Sequence, residues 1–195
     1  VNCKDIETNE TVVFRGPDLD LRGLHEYFST VTRCIGHNIC NYDVPVLERL
    51  VHGIKLNDPV DTLVISRLLD YNRSGGHSLG AWGPTFGLTK GVQPPRDEFS
   101  EDLVTHSQEN VEITHALYKA FLPYLTSERW KGPIETETFV AKVCQTMHEN
   151  GFHFDLDKAT ELRYTILEEL DTLDTELNSA FPPKVRCARE ITPRI

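Results

Sequence analysis

The sequence predicts an α/β domain followed by a helical extension. At the front of the chain, short runs rich in β-branched residues alternate with stretches whose apolar residues recur every three or four positions. Turn-forming Gly, Pro, Asn and Asp separate these runs. From Ile134 the strand signals stop, and two long amphipathic stretches follow.

Taken in order, residues 1–3 and 11–14 read as short strands, and the polar stretch between them, which includes Thr8 and Asn9, suits a hairpin connection. Pro17 and Asp18 punctuate the exit. Residues 19–28 place Leu21, Leu24, Tyr27 and Phe28 at helical spacing. Residues 31–35 read as a strand, with Gly36, His37 and Asn38 as the turn after it. Residues 44–51 form a helix, because Pro45 suits a first turn and Val46, Leu47, Leu50 and Val51 make one stripe. A turn at 58–62 leads into a helix over 62–69, capped by Asp61 or Thr62. Loops at 71–76 and 92–99 flank a short helix that starts near Ser78 and is broken by Gly83, Pro84 and Gly87. Residues 101–122 form a long helix, with Pro123 and the segment 127–133 expected as a boundary. Phe139, Val140, Val143, Cys144 and Met147 share the face of a further helix that ends at Asn150 and Gly151. After a brief extended piece at 152–154, Asp155 or Asp157 caps a helix carrying Leu162, Ile166, Leu170, Leu173 and Leu177; Phe181, Pro182 and Pro183 stop it.

Composition narrows the function classes. With 195 residues, 39% of them hydrophobic, the chain can bury one well-packed domain with a short extension. No apolar run approaches the ~20 residues needed to span a bilayer, and no charged-then-apolar leader is present, so neither a membrane partner nor a secretory route is expected. The chain opens on Val1, and residues 189–195 bring no closing element, the expectation for a fragment of a longer protein. The formal net charge of −10 argues against broad gripping of duplex DNA, which depends on Lys and Arg. It is compatible with a nuclease whose carboxylates meet phosphate through a divalent metal. Five cysteines, Cys3, Cys34, Cys40, Cys144 and Cys187, include no C-x-x-C pair, which fits reduced thiols in a cytoplasmic setting. A zinc site from Cys34, His37, Cys40 and His52 matches no common ligand spacing.

The most informative stretch is 35–47, in which Asn38, three residues, Tyr42 and Asp43 lie between a buried strand and a helix. A carboxylate at a helix start, in the turn that closes a strand, can reach a shared metal site. This stretch resembles the second exonuclease motif of the proofreading superfamily. The segments 61–69 and 76–83, the run Thr114, His115, Ala116, Leu117, and the stretch 149–155 resemble, in that order, further elements of the family A DNA polymerases of short-tailed phages. The resemblance covers nearly the whole chain. It implies a ribonuclease-H-like mixed sheet flanked by helices for residues 1–126, lacking its first strand, and a linker with the helical start of the polymerase region for 127–195. It further implies four carboxylates from three motifs holding two Mg²⁺ or Mn²⁺ ions, hydrolysis of a single-stranded DNA 3′ end, attachment to the rest of a polymerase chain, and work in the cytoplasm of an infected bacterial host. Asp43 is the expected catalytic carboxylate and metal ligand, ahead of an ordinary cap for the helix that follows, and His37 and Asn38 either touch the terminal nucleotide or simply order the turn.

Two departures stand out. Alignment through Val111, Thr114, Ala116 and Leu117 puts His106 where the third motif has Tyr, and Asn110 where it has Asp. An Asn carbonyl lacks the full charge a metal wants, whereas His106 keeps the capacity to hold a water. Glu109 and Glu112 point roughly 100° and 200° away from Asn110 on a helix, so neither is an obvious substitute. The second departure is the run Asp5, Ile6, Glu7, Thr8, which has the first motif's residue types but only four residues before it and thirty-eight residues to Asp43. It reads either as the first-motif metal ligands or as a charged hairpin turn. Asp61 reads as a cap, Tyr42, Trp82 and Phe86 as core aromatics, and residues 168–171 as a solvated face. Two functions follow: a Mg²⁺-dependent 3′–5′ exonuclease, or a nuclease-like domain without catalysis that serves as scaffold or DNA-binding module.

Overall fold

The computed structural model describes residues 1–15, 20–95 and 99–182. Pro17, Asp18, the start of the 19–28 stretch, part of the 92–99 loop, Pro183, Cys187 and residues 189–195 lie outside the described residues. The elements run β1 (Asn2–Lys4), β2 (Thr11–Val13), α1 (Leu21–Thr30), β3 (Ile35–Gly36), α2 (Asp43–Leu50), β4 (Val60–Asp61), α3 (Thr62–Leu69), α4 (Leu79–Trp82), α5 (Glu101–Leu125), α6 (Glu128–Asn150) and α7 (Leu156–Ala180), with a 3₁₀ turn at Gly83–Phe86. The fold is mixed α/β and mostly helical. Its strands form two small two-stranded sheets: β1 antiparallel to β2, and β3 parallel to β4 with Gly36 opposite Asp61.

The chain separates into two units, Val1–Asn150 and Gly151–Ile195. In the first, α1 is capped by Asp20, whose side chain accepts from the Gly23 amide, and turns Leu24 and Phe28 inward. These meet Cys34, Ile39, Cys40 and Val51, with Cys3 and Phe14 of the hairpin packed against the same cluster. A second cluster joins Ile65 of α3 to Leu117 and Phe121 of α5, and Trp82 and Ile134 border it. Helix α5 also packs against β1 and β3, so it runs behind both sheets. Its buried face, Ile113, Leu117, Tyr118 and Phe121, follows helical spacing.

Several expectations need correction. Of the 31–35 run only Ile35 lies in a strand, which it shares with Gly36, a residue expected in the turn. Cys34 still pairs across, donating from its amide to Asn57 and accepting from the Val60 amide, but Val31 is spent closing α1 onto Phe28. Pro123 does not end α5, which continues to Leu125, and α6 contains Pro133. Proline removes an amide donor and is cheap only in a helix's first turn; Pro123 and Pro133 both lie beyond it, so packing holds these helices against that cost. The break shrinks to Thr126 and Ser127, and α6 packs on α3 and α5 within the first unit. Gly151, at φ +62°, provides the left-handed residue that closes α6.

In the second unit, Asp155 caps α7 by accepting from the Lys158 amide at 2.9 Å. The stripe of Leu162, Ile166, Leu170, Leu173 and Leu177 is exposed, as is Phe139 and Met147 of α6 in the first unit. Among the described residues, no helix is long and apolar enough to cross a membrane.

Candidate functional site

The turn after β3 gathers most of the candidate residues. Gly36 opens it because a Cβ there would stand 2.6 Å from the Ile39 Cβ. Asn38 is left-handed at φ +66°, a conformation Asn tolerates better than most side chains. Its carbonyl accepts from the amides of Asn41 (3.2 Å) and Tyr42 (3.0 Å), and Ile39 accepts from Val44 (3.0 Å), which winds the chain into α2. Asp43 is the first residue of that helix. Burial, with a further contribution from the Asp61 charge, pushes its carboxyl from 3.8 up to about 6. Tyr42, expected in the core, is 56% exposed, because the turn spends its buried positions on Ile39 and Cys40.

Across the turn stand Asp61 and Thr62, both fully buried. Asp61 closes β4 and caps α3, accepting from the Leu63 amide at 2.9 Å. The same carboxylate accepts from the amides of Asn38 (2.9 Å) and Cys40 (3.2 Å). The Thr62 hydroxyl donates to the Gly36 carbonyl at 3.0 Å and lies 3.0 Å from His37 Nδ1. Burial lowers the His37 pKa, the Asp61 charge and a backbone hydrogen bond at His77 oppose the shift, and the Lys90 and Arg67 charges add to it. Beyond it, Ser66 Oγ lies 2.7 Å from His77 Nδ1 and accepts from Trp82 Nε1 at 3.0 Å. The Trp82 ring is covered by the Arg73 guanidinium at 3.8 Å, stacks on Phe86 and meets Phe121 edge-on, a core position for both aromatics.

Asp5 and Glu7 are placed elsewhere. They sit in the hairpin turn between β1 and β2, exposed to solvent. Asp5 Oδ1 accepts from the amides of Glu7 (2.8 Å) and Thr8 (2.7 Å), and its carbonyl accepts from Asn9, which is left-handed at φ +63°. The amides of Thr8 and Glu7 hold the Asp5 carboxyl below its ordinary value. The carboxylate whose charge acts on Asp43 is that of Asp61.

His106 and Asn110 lie on α5, one turn apart and in line with the buried Ile113 and Leu117. His106 Nδ1 is 3.9 Å from Glu109 Oε2, beyond hydrogen-bond reach. Among the described residues, both His106 Nδ1 and Asn110 Oδ1 are buried without a partner, as is Asn2 Oδ1 on β1. Glu109 accepts from the Gly91 amide at 2.9 Å, and Glu112 pairs with Lys4 Nζ at 2.6 Å. Their carboxylates are thereby committed away from Asn110.

This donor set does not fit a two-metal centre. Such a centre needs several charged oxygens converging on one point. Asp43 stands at the start of α2, but Asp5 is folded onto its own turn and Asn110 is neutral. Among the described residues, no three His, Cys, Asp or Glu side chains are grouped so as to hold an ion. The Asp61 clamp on Asn38 and Cys40 was not legible in the sequence, where the local signal is that of a helix cap.

No family model matches the chain. It is 25% identical to the "DNA-directed DNA polymerase" of Escherichia phage T7 over 238 aligned residues, 91% of this chain and 34% of that protein. It is 27% identical to the "DNA-directed DNA polymerase" of Enterobacteria phage T3 over 212 aligned residues, 76% of this chain and 30% of that protein. The chain thus spans about a third of the length of these relatives, and it is distantly similar to phage-type DNA polymerases over most of its own.

Proposed function

We propose that this chain is the ribonuclease-H-like, nuclease-type domain and first polymerase helices of a phage-type DNA polymerase, and that its described residues hold single-stranded DNA without hydrolysing it. The observation that carries this is the commitment of the Asp5 carboxylate to the Glu7 and Thr8 amides in an exposed turn, which leaves Asp43 without the acidic partners that the resemblance calls for. The turn that bears His37 and Asn38 offers polar groups to a 3′ nucleotide. The rest of the polymerase chain and the cytoplasm of an infected host are the setting that this reading implies.

A second reading has an observation of its own. The two sheets both rest on α5, yet β1 pairs only with β2 and β3 only with β4 among the described residues. Two-stranded sheets are marginal by themselves, and the partnerless Asn2, His106 and Asn110 atoms lie on β1 and α5. An extended segment from outside these residues, added to a sheet edge and carrying first-motif carboxylates, would restore a Mg²⁺ or Mn²⁺ exonuclease with His106 holding a water.

The test is degradation of a 5′-labelled single strand in Mg²⁺ or Mn²⁺, with binding followed by fluorescence anisotropy. Salt-sensitive binding without cleavage is expected, weakened by Asn38→Ala or Lys90→Ala. A ladder from the 3′ end that disappears in Asp43→Ala would overturn the first reading.

A further inference from the structure

The carboxylate of Asp61 has more partners than a helix cap needs. A cap accepts from one amide of the first turn, and Leu63 supplies it. The other two bonds cross to the segment that begins at Asn38, more than twenty residues earlier in the chain. Oδ1 is shared by Asn38 and Leu63, whereas Oδ2 takes Cys40 alone. The group is 1% exposed, and water cannot readily replace these bonds. Its backbone is fixed opposite Gly36 in the parallel pairing of β3 and β4. Asn38 is held in a left-handed conformation, which needs outside support to persist, and Asp61 grips its amide.

We infer that Asp61 is a positioning residue: its carboxylate ties the Asn38–Cys40 turn to the start of α3 and thereby fixes the place from which His37, Asn38 and Asp43 are presented. The role rests on the reading of that turn as the functional edge of the domain, although the clamp itself is testable without it. A carboxylate is required because both oxygens must accept. Asn in its place keeps one acceptor and turns an NH₂ toward the Cys40 amide.

The experiment is amide hydrogen exchange by NMR on the full chain and on Asp61→Asn and Asp61→Ala. In Asp61→Asn the Cys40 amide should exchange at least about tenfold faster, while Asn38 and Leu63 change little; tenfold is the scale of one lost charge-assisted bond. In Asp61→Ala all three should lose protection. The amides of Ile113 and Leu117 serve as the core reference. Unchanged protection at Cys40 in Asp61→Asn would overturn the proposal, and so would an equal loss at Cys40, Ile113 and Leu117, which would mean a general structural role. If Asp61→Ala does not fold, Asp61→Asn alone decides. A parent chain that fails to bind single-stranded DNA would sink the preceding reading and leave this measurement intact.

Discussion

Asp43 holds its carboxyl in a half-buried place beside the Asp61 charge, and the proton it retains has a consequence for stability. Its folded value of about 6 lies above the ordinary 3.8. Between those two values the folded chain keeps a proton that the unfolded chain has released, so stability falls as pH rises from about 4 to about 6 and levels off above. Removing the charge should reverse this: Asp43→Asn is expected to stabilise the chain at pH 7 by roughly 1–3 kcal/mol and to flatten the pH dependence. Urea unfolding at pH 4, 5, 6 and 7 measures both; an Asn variant less stable than the parent at pH 7 would contradict the account. At this scale the sequence was partly legible. Asp43 at a helix start and Asp61 as a cap follow from local pattern. The exposure of Tyr42 and the reach of Asp61 to Asn38 and Cys40 do not, because both depend on how two distant segments pack.

At the scale of elements, α3 was fully readable, since Asp61 marks its start and its apolar spacing runs unbroken to Leu69. The hairpin was readable as well, with Asn2 opposite Val13 and the polar residues in the turn. The strand before the candidate site was overestimated, because β-branched Val31 closes α1 onto Phe28 and Thr32 stands exposed beside it instead of pairing. Pro123 misled most. A proline inside a helix normally costs about 3 kcal/mol relative to Ala, yet α5 passes through it while Phe121 and Leu125 stay anchored in the second cluster. Tertiary packing therefore outweighs local preference there. Pro123→Ala is expected to raise stability by roughly 1–3 kcal/mol, the scale of the helix penalty less the added freedom of the unfolded chain. Thermal unfolding reads this directly, and a lower melting temperature would mean that the proline ring itself packs the end of α5.

Across the whole molecule, the composition and the order of elements gave the class, α/β followed by helices, and the two compact units divide at Gly151. What sequence could not settle was whether Asp5 and Glu7 belong to a metal site, since their residue types suit a first motif and a charged turn equally well. The structure turns them to solvent at the hairpin, and the function proposed above depends on that placement. Mn²⁺ titration followed by NMR tests it most directly, because a bound paramagnetic ion broadens every amide near it. No single Mn²⁺ site should broaden Asp5, Glu7 and Asp43 together, and any broadening at Asp43 should leave the hairpin turn untouched. Joint broadening of all three, saturating at one Mn²⁺ concentration and lost in Asp43→Ala, would contradict it and restore the exonuclease centre to this chain.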